Sequence, residues 1–186
     1  MNIERLKVAL PTLEEAVIGE HFTAEKLKKG DYLLKEGQIC SKIAFLNKGV
    51  IRHYYNTEDG DVTRWVSLEN DFSVSLSSFI RQEKSVENLE AIEDCELLNI
   101  SRKSWERLYN ANEAFREIWI RSIEAAYIAI EDRLFNQIAK KAEDRFDYMQ
   151  EKFPAFIQRV PVQYLASMLG ATPRHLNRIR KAKSRK

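Results

Sequence analysis

Two cysteines, three histidines, four prolines and six glycines are few for a chain of 186 residues, and each shortage removes a class of protein. Cys40 and Cys95 stand far apart, which leaves neither a disulfide framework nor a paired-cysteine metal site. Iron–sulfur sensing is excluded with them, because two isolated thiols cannot supply four ligands. His21, His53 and His175 have no metal-ligand spacing, so a cupin-type jelly-roll enzyme lacks its ligands. No nucleophile–base constellation is recognisable, and the chain is read as non-enzymatic, with no catalytic or metal residues. Scarce glycine and proline exclude a linker-rich or disordered chain. No apolar run reaches the roughly 18 residues that span a bilayer. The opening MNIERLKVALPTLEEA mixes acids into its apolar positions, unlike a secretory signal. A cytoplasmic protein without a membrane partner is expected.

The formal charge of +2 conceals a division. From Pro161 onward there are seven basic residues and no acid, which leaves residues 1–160 with 23 basic against 28 acidic. An acidic body of −5 therefore carries a basic end of +7. Such an end attracts polyanions through counterion release.

The pattern predicts an α+β protein. Residues 1–20 place Ile3, Leu6, Leu10, Leu13 and Val17 at helical spacing. Residues 21–100 then break into short strand-like runs separated by Lys-Gly, Glu-Gly, Asp-Gly and Asn-Asp pairs. Asp59-Gly60 between two alternating runs signals a hairpin. Many short strands at near-regular spacing predict an antiparallel β-roll, a jelly roll or double-stranded β-helix, with flanking helices. From residue 102 the period becomes 3.6. Asn112 caps a long helix whose apolar stripe includes Trp119, Ile123, Ala126, Tyr127, Ile130 and Leu134. About 25 residues make a helix of about 37 Å, longer than a small barrel is wide, so the stripe is expected to join two copies in a homodimer. A further amphipathic segment, 142–152, stops before Pro154. The expected domains are 1–110 for the N-terminal helices and roll, 111–138 for the dimerisation helix, and 139–186 for a small all-α end.

That end carries the sharpest motif, VQYLASMLGATPRHLNRIRK. Val162, Leu165, Ala166 and Leu169 give a short helix with one apolar face. Gly170 permits a tight turn, Thr172 can cap a second helix, and Pro173 suits its first position. Leu176 and Ile179 then face inward. This is the pattern of a helix-turn-helix, whose second helix enters the DNA major groove. Arg174, His175 and Arg178 are the candidates for base readout, with Asn177 behind them. Thr172, Lys181 and Gln163 are placed for phosphates.

The order of roll, long helix and helix-turn-helix resembles the Crp/Fnr superfamily of bacterial transcription regulators, in which a cyclic-nucleotide-binding-type roll precedes a DNA-binding domain. The resemblance spans nearly the whole chain. It rests on KKGDYLLKEGQ, FLNKGVIRHYY, the stretch from Asp59-Gly60 to Phe72, AIEDCELLNIS and RVPVQYLASMLGATPRHLNRIRK. It looks most like the short subgroup common in Bacteroidetes-type bacteria, with the trailing wing truncated. It implies a homodimeric, sequence-specific regulator that binds double-stranded DNA, with RNA polymerase and a small anionic effector as further partners.

Two departures shape that expectation. Where cyclic-nucleotide binders have Gly-Glu-Leu and then Arg-Ser/Thr-Ala, this chain has Val74-Ser75-Leu76 and Lys84-Ser85-Val86. Ser75 supplies no carboxylate for a ribose hydroxyl, and Lys84 offers a point charge in place of a fork. A cyclic nucleotide is therefore disfavoured, and the effector is unknown. Ser75, Leu76, Ser77, Arg81, Lys84 and Ser85 form a polar, slightly basic patch that would suit another anion. The recognition helix also has Pro173 and Arg174 where guanine-reading relatives have Arg and Glu, so their operator does not transfer. The competing reading is a ligand-binding sensor whose roll is the working part and whose basic end binds DNA weakly and without specificity.

Overall fold

The computed structural model describes residues 3–183; Arg185 and Lys186 of the basic end lie outside them. Two short helices, α1 (Glu4–Ala9) and α2 (Glu15–His21), lead into the strands. One sheet of the roll is built from β1 (Phe22–Leu27), β3 (Lys42–Lys48), β6 (Phe72–Ser73) and β8 (Cys95–Ser101), in the order β1-β8-β3-β6. The other holds β2 (Tyr32–Leu34), β4 (Ile51–Thr57), β5 (Gly60–Ser67) and β7 (Asn88–Ala91), in the order β2-β7-β4-β5. All pairings are antiparallel. The β4–β5 hairpin forms around the Asp59-Gly60 signal, with Gly60 at φ +110°. The β3–β4 turn needs Gly49: at φ +101° an added Cβ would meet the Cys95 Sγ at 2.5 Å and the Asp94 carbonyl at 2.7 Å.

One helix inside the roll, α3 (Leu76–Arg81), falls in the stretch read as a polar patch. It is too short to show a 3.6 period. After the roll come α4 (Arg102–Ala111) and α5 (Glu113–Ala139). The Asn112 side chain caps α5 by accepting from the Phe115 amide at 2.9 Å. Its 27 residues make it about 40 Å long. The C-terminal helices are α6 (Ala142–Lys152), α7 (Pro154–Arg159), α8 (Val162–Met168) and α9 (Pro173–Lys183). Pro154, read from sequence as a stop, also starts α7, because a first-turn proline forfeits no helical hydrogen bond.

The buried side chains fall into two clusters. One fills the roll and reaches α1, α2, α4 and Phe115. The other joins the C-terminal helices to Val50, Val66 and Ile92 on the outside of the roll. Strand β4 explains the division. Ile51 and His53 point into the roll, while Arg52 and Tyr54, on the alternate face, point out under α8. All four are therefore buried.

Candidate nucleic-acid interface and effector site

The helix-turn-helix is shaped by local chemistry. Helix α8 ends in a paired cap: the Ala171 amide donates to the Ala166 carbonyl at 2.9 Å, and the Gly170 amide to the Ser167 carbonyl at 3.0 Å. That cap puts Gly170 at φ +60°, which a residue without Cβ adopts at no steric cost. Thr172 Oγ1 then accepts from the His175 amide at 3.2 Å and caps α9. Leu176 and Ile179 are buried with Leu165, Ala166, Met168 and Leu169. Arg174, Asn177 and Arg178 remain exposed along the opposite side of α9, as do Thr172 at its start and Gln163 on α8. Lys181 lies on the same helix, also exposed. His175 is engaged differently: its Nε2 lies 3.3 Å from the Glu143 carboxylate on α6. Lys183 pairs with Asp147 on the same helix, so α9 is tied to α6 at both ends.

While α9 faces outward, α8 lies on β5. The Thr63 amide donates to Ser167 Oγ at 2.8 Å. The Arg52 guanidinium sits between the Tyr54 and Tyr164 rings, 4.0 and 3.9 Å from their centroids, and its Nε donates to Thr63 Oγ1 at 2.9 Å. Nearby, Arg159 bridges Glu69 and Glu93. Burial pushes the Glu69 carboxyl up, but hydrogen bonds from Arg159 and the Gly49 amide outweigh it and hold it at about 2. Nothing in the sequence pattern pointed to Arg52 or Arg159 as the residues that seat the C-terminal helices on the roll.

The six residues of the polar patch separate in space. Ser75 and Ser85 are buried, and their hydroxyls lie 3.1 Å apart. Ser77, Arg81 and Lys84 are exposed on the outside of the roll, and Leu76 borders a cavity beside α5. At the roll side of that cavity His53 is fully enclosed. Its Nε2 lies 3.0 and 2.9 Å from the Ser67 and Ser73 hydroxyls, and its Nδ1 lies 3.3 Å from Arg64 Nη2. A guanidinium only donates, so Nδ1 accepts and the ring is neutral with its proton on Nε2. Burial, then the Arg64 charge, hold its pKa well below the ordinary histidine value. Glu87, also buried, accepts from Arg64 Nε at 2.9 Å.

The residues assigned to dimerisation divide as well. Trp119, Ile123, Ala126 and Ile130 border the cavity, of which Ala126 and Ile130 are also exposed to solvent. Tyr127 and Leu134 are exposed together with Ile120, Ile128, Phe135 and Ile138. Helix α5 thus carries apolar residues on two sides. Among the described residues no group of three His, Cys, Asp or Glu is placed to hold a metal, and no helix is long and apolar enough to cross a membrane.

Residues 24–112 match the cyclic nucleotide-binding domain family, and roll, long helix and helix-turn-helix in this arrangement form a Crp/Fnr-like fold. A CooA mutant from Carboxydothermus hydrogenoformans superposes with a TM-score of 0.73 at 16% identity, covering 100% of this chain and 86% of that one. FixK2 from Bradyrhizobium japonicum gives 0.70 at 17% identity, covering 87% and 83%. The c-di-GMP-responsive regulator CLP of Xanthomonas campestris gives 0.68 at 16% identity, covering 92% of each chain. No curated protein matches this chain in sequence.

Proposed function

We propose that the chain is a homodimeric, sequence-specific DNA-binding transcription regulator of the cytoplasm and not an enzyme. The observation that carries this reading is α9 itself: a capped helix whose inner side is buried and whose outer side offers Arg174, Asn177 and Arg178 to solvent. The arginine forks suit guanine O6 and N7, and Asn177 suits adenine. Gln163, Thr172 and Lys181 take phosphates, which set register. His175 reads a base only once it leaves Glu143, so its contribution comes with a local rearrangement. Two copies joined along α5 present two such helices to successive major grooves, about 34 Å apart. RNA polymerase is the partner on which a regulator of this kind acts.

Selection from a random-sequence duplex pool at low salt tests the reading. An enriched palindrome with half-sites about one helical turn apart is expected. Recovery of unselected sequence, with binding that disappears uniformly as salt rises, would reduce the basic end to a non-specific polyanion contact.

A further inference from the structure

Helix α5 does not lie flat against the roll. It leaves a cavity of about 390 Å³ that extends from Phe22 and Ile43 in the roll, along Trp119 and Ile123, to Tyr148 and Phe153 in the C-terminal helices. All three tryptophans of the chain, Trp65, Trp105 and Trp119, border it. The volume is at the lower end of the roughly 300–1,000 Å³ typical of small-molecule sites. The wall is apolar for most of its extent, and its polar groups include His53, Arg64, Ser67, Asp132 and Arg133.

Those polar groups are not equally satisfied. Arg64 has Glu87 at 2.9 Å, and His53 has two serine hydroxyls. Arg133 has neither. Its guanidinium lies 5.3 Å from the centre of the Trp65 ring, and among the described residues no carboxylate comes within 4.0 Å of it. Asp132, the acid next to it on α5, also borders the cavity, but it is exposed and makes no ion pair with Arg133. Burial, then the neighbouring Arg64 charge, lower the Arg133 pKa to about 10. A half-buried cation facing an apolar hollow, with a second cation close by, lacks an anion.

We propose that this cavity binds a monocarboxylic acid with an apolar body, the body lying against the three tryptophans and the carboxylate taken by the Arg133 fork. A guanidinium holds a carboxylate through two parallel hydrogen bonds, which fixes its orientation as well as its charge. A nucleotide fits poorly, because its sugar and base need polar partners along a wall that has few. The site gives the proposed regulator an effector class, yet its test uses no DNA, so its failure and that of the DNA-binding reading are separable.

The test is titration of the full chain with decanoate and, in parallel, with 1-decanol, following tryptophan fluorescence. Decanoate should give a saturable change, with decanol binding roughly tenfold or more weakly. Arg133→Gln should weaken decanoate by a similar factor and leave decanol unchanged. Ala126→Phe, which fills the hollow without touching Arg133's charge, should remove both responses while circular dichroism and thermal unfolding report a folded protein. No saturable response, equal affinity for the two probes, or undiminished decanoate binding in Arg133→Gln would each overturn the proposal. So would a fluorescence change that follows protein concentration and ignores decanoate, because that assigns the hollow to a second copy of the chain.

Discussion

The two apolar sides of α5 share one helix and one period but meet different surroundings. On one side Trp119, Ile123 and Ala126 face the roll across a cavity, and Trp119 packs edge-on against Trp105 with ring centroids 5.0 Å apart. On the other, Tyr127, Ile128, Leu134 and Phe135 are each more than half exposed, and Ile138 is 78% exposed. A row of large apolar side chains along several turns exceeds the scattered exposure normal on a monomer. The first side belongs to the fold of one copy; the second is read as the seam between two. The difference shows why a stripe on a helix does not by itself name its partner.

The comparison breaks most directly on the bare side. Ile128→Asp with Phe135→Asp removes four buried side chains from a two-fold interface, at roughly 1.5–3 kcal/mol each. A rise in dimer Kd of at least about 10⁴-fold is expected, seen by light scattering across a dilution series. Far-UV circular dichroism should not change, since both side chains are more than half exposed and the Lys140 ammonium 5.7 Å from the Phe135 ring holds no backbone in place. A variant that stays dimeric would move the seam elsewhere. The roll-facing side should respond in the opposite sense. Trp119→Ala, made in the monomeric background, is expected to cost about 3 kcal/mol in urea unfolding, because it forfeits the Trp105 contact and enlarges a cavity. In the wild-type background the same substitution should leave dimer Kd nearly unaltered.

DNA binding sharpens the contrast further. Arg178→Ala is expected to cost about 2 kcal/mol per half-site and to relax specificity at one base, with no change in unfolding. A uniform loss across all sequences would make Arg178 a phosphate contact. In the monomeric background the preference for a palindrome over a single half-site should vanish, because the two α9 helices are then no longer held as a pair.

How much of this was legible in the sequence depended on whether the cause was local. The helix-turn-helix was legible because Gly170, Thr172 and Pro173 act within their own turn. The roll was legible as alternating runs between turn residues. Strand β1 escaped notice: Phe22–Leu27 has a weak pattern and exists by pairing along its whole length with β8, some 70 residues away. Helices α3 and α7 escaped for want of length, with six residues each. The α5 stripe was legible as apolar but not as two-sided, since residues on both sides of a helix leave no single direction to read. Arg52 had no signal at all. An arginine in VIRHYY reads as the solvent face of a strand, and only the docking of α8 buries it.

The smallest expected effect concerns the floor of the cavity, where the roll-facing side has a titratable group enclosed and the bare side has none. His53 is neutral when folded, with Arg64 donating to Nδ1 and Glu87 3.9 Å away already paired with Arg64. Its folded pKa lies well below that of the unfolded chain, lowered by burial and then by Arg64. Between the two values the unfolded state binds the extra proton, so stability is complete above about pH 6.5 and falls as pH drops beneath it. One unit below, at about pH 5.5, the loss approaches roughly 1.4 kcal/mol. His53→Gln keeps a donor for Ser67 or Ser73 and removes the titration. The difference between wild-type and variant unfolding free energies, taken from pH 7.5 down to 5, should therefore tilt against the wild type as acid is added. A difference flat in pH would mean that solvent reaches His53 before unfolding, and that the cavity floor is open where the geometry has it closed.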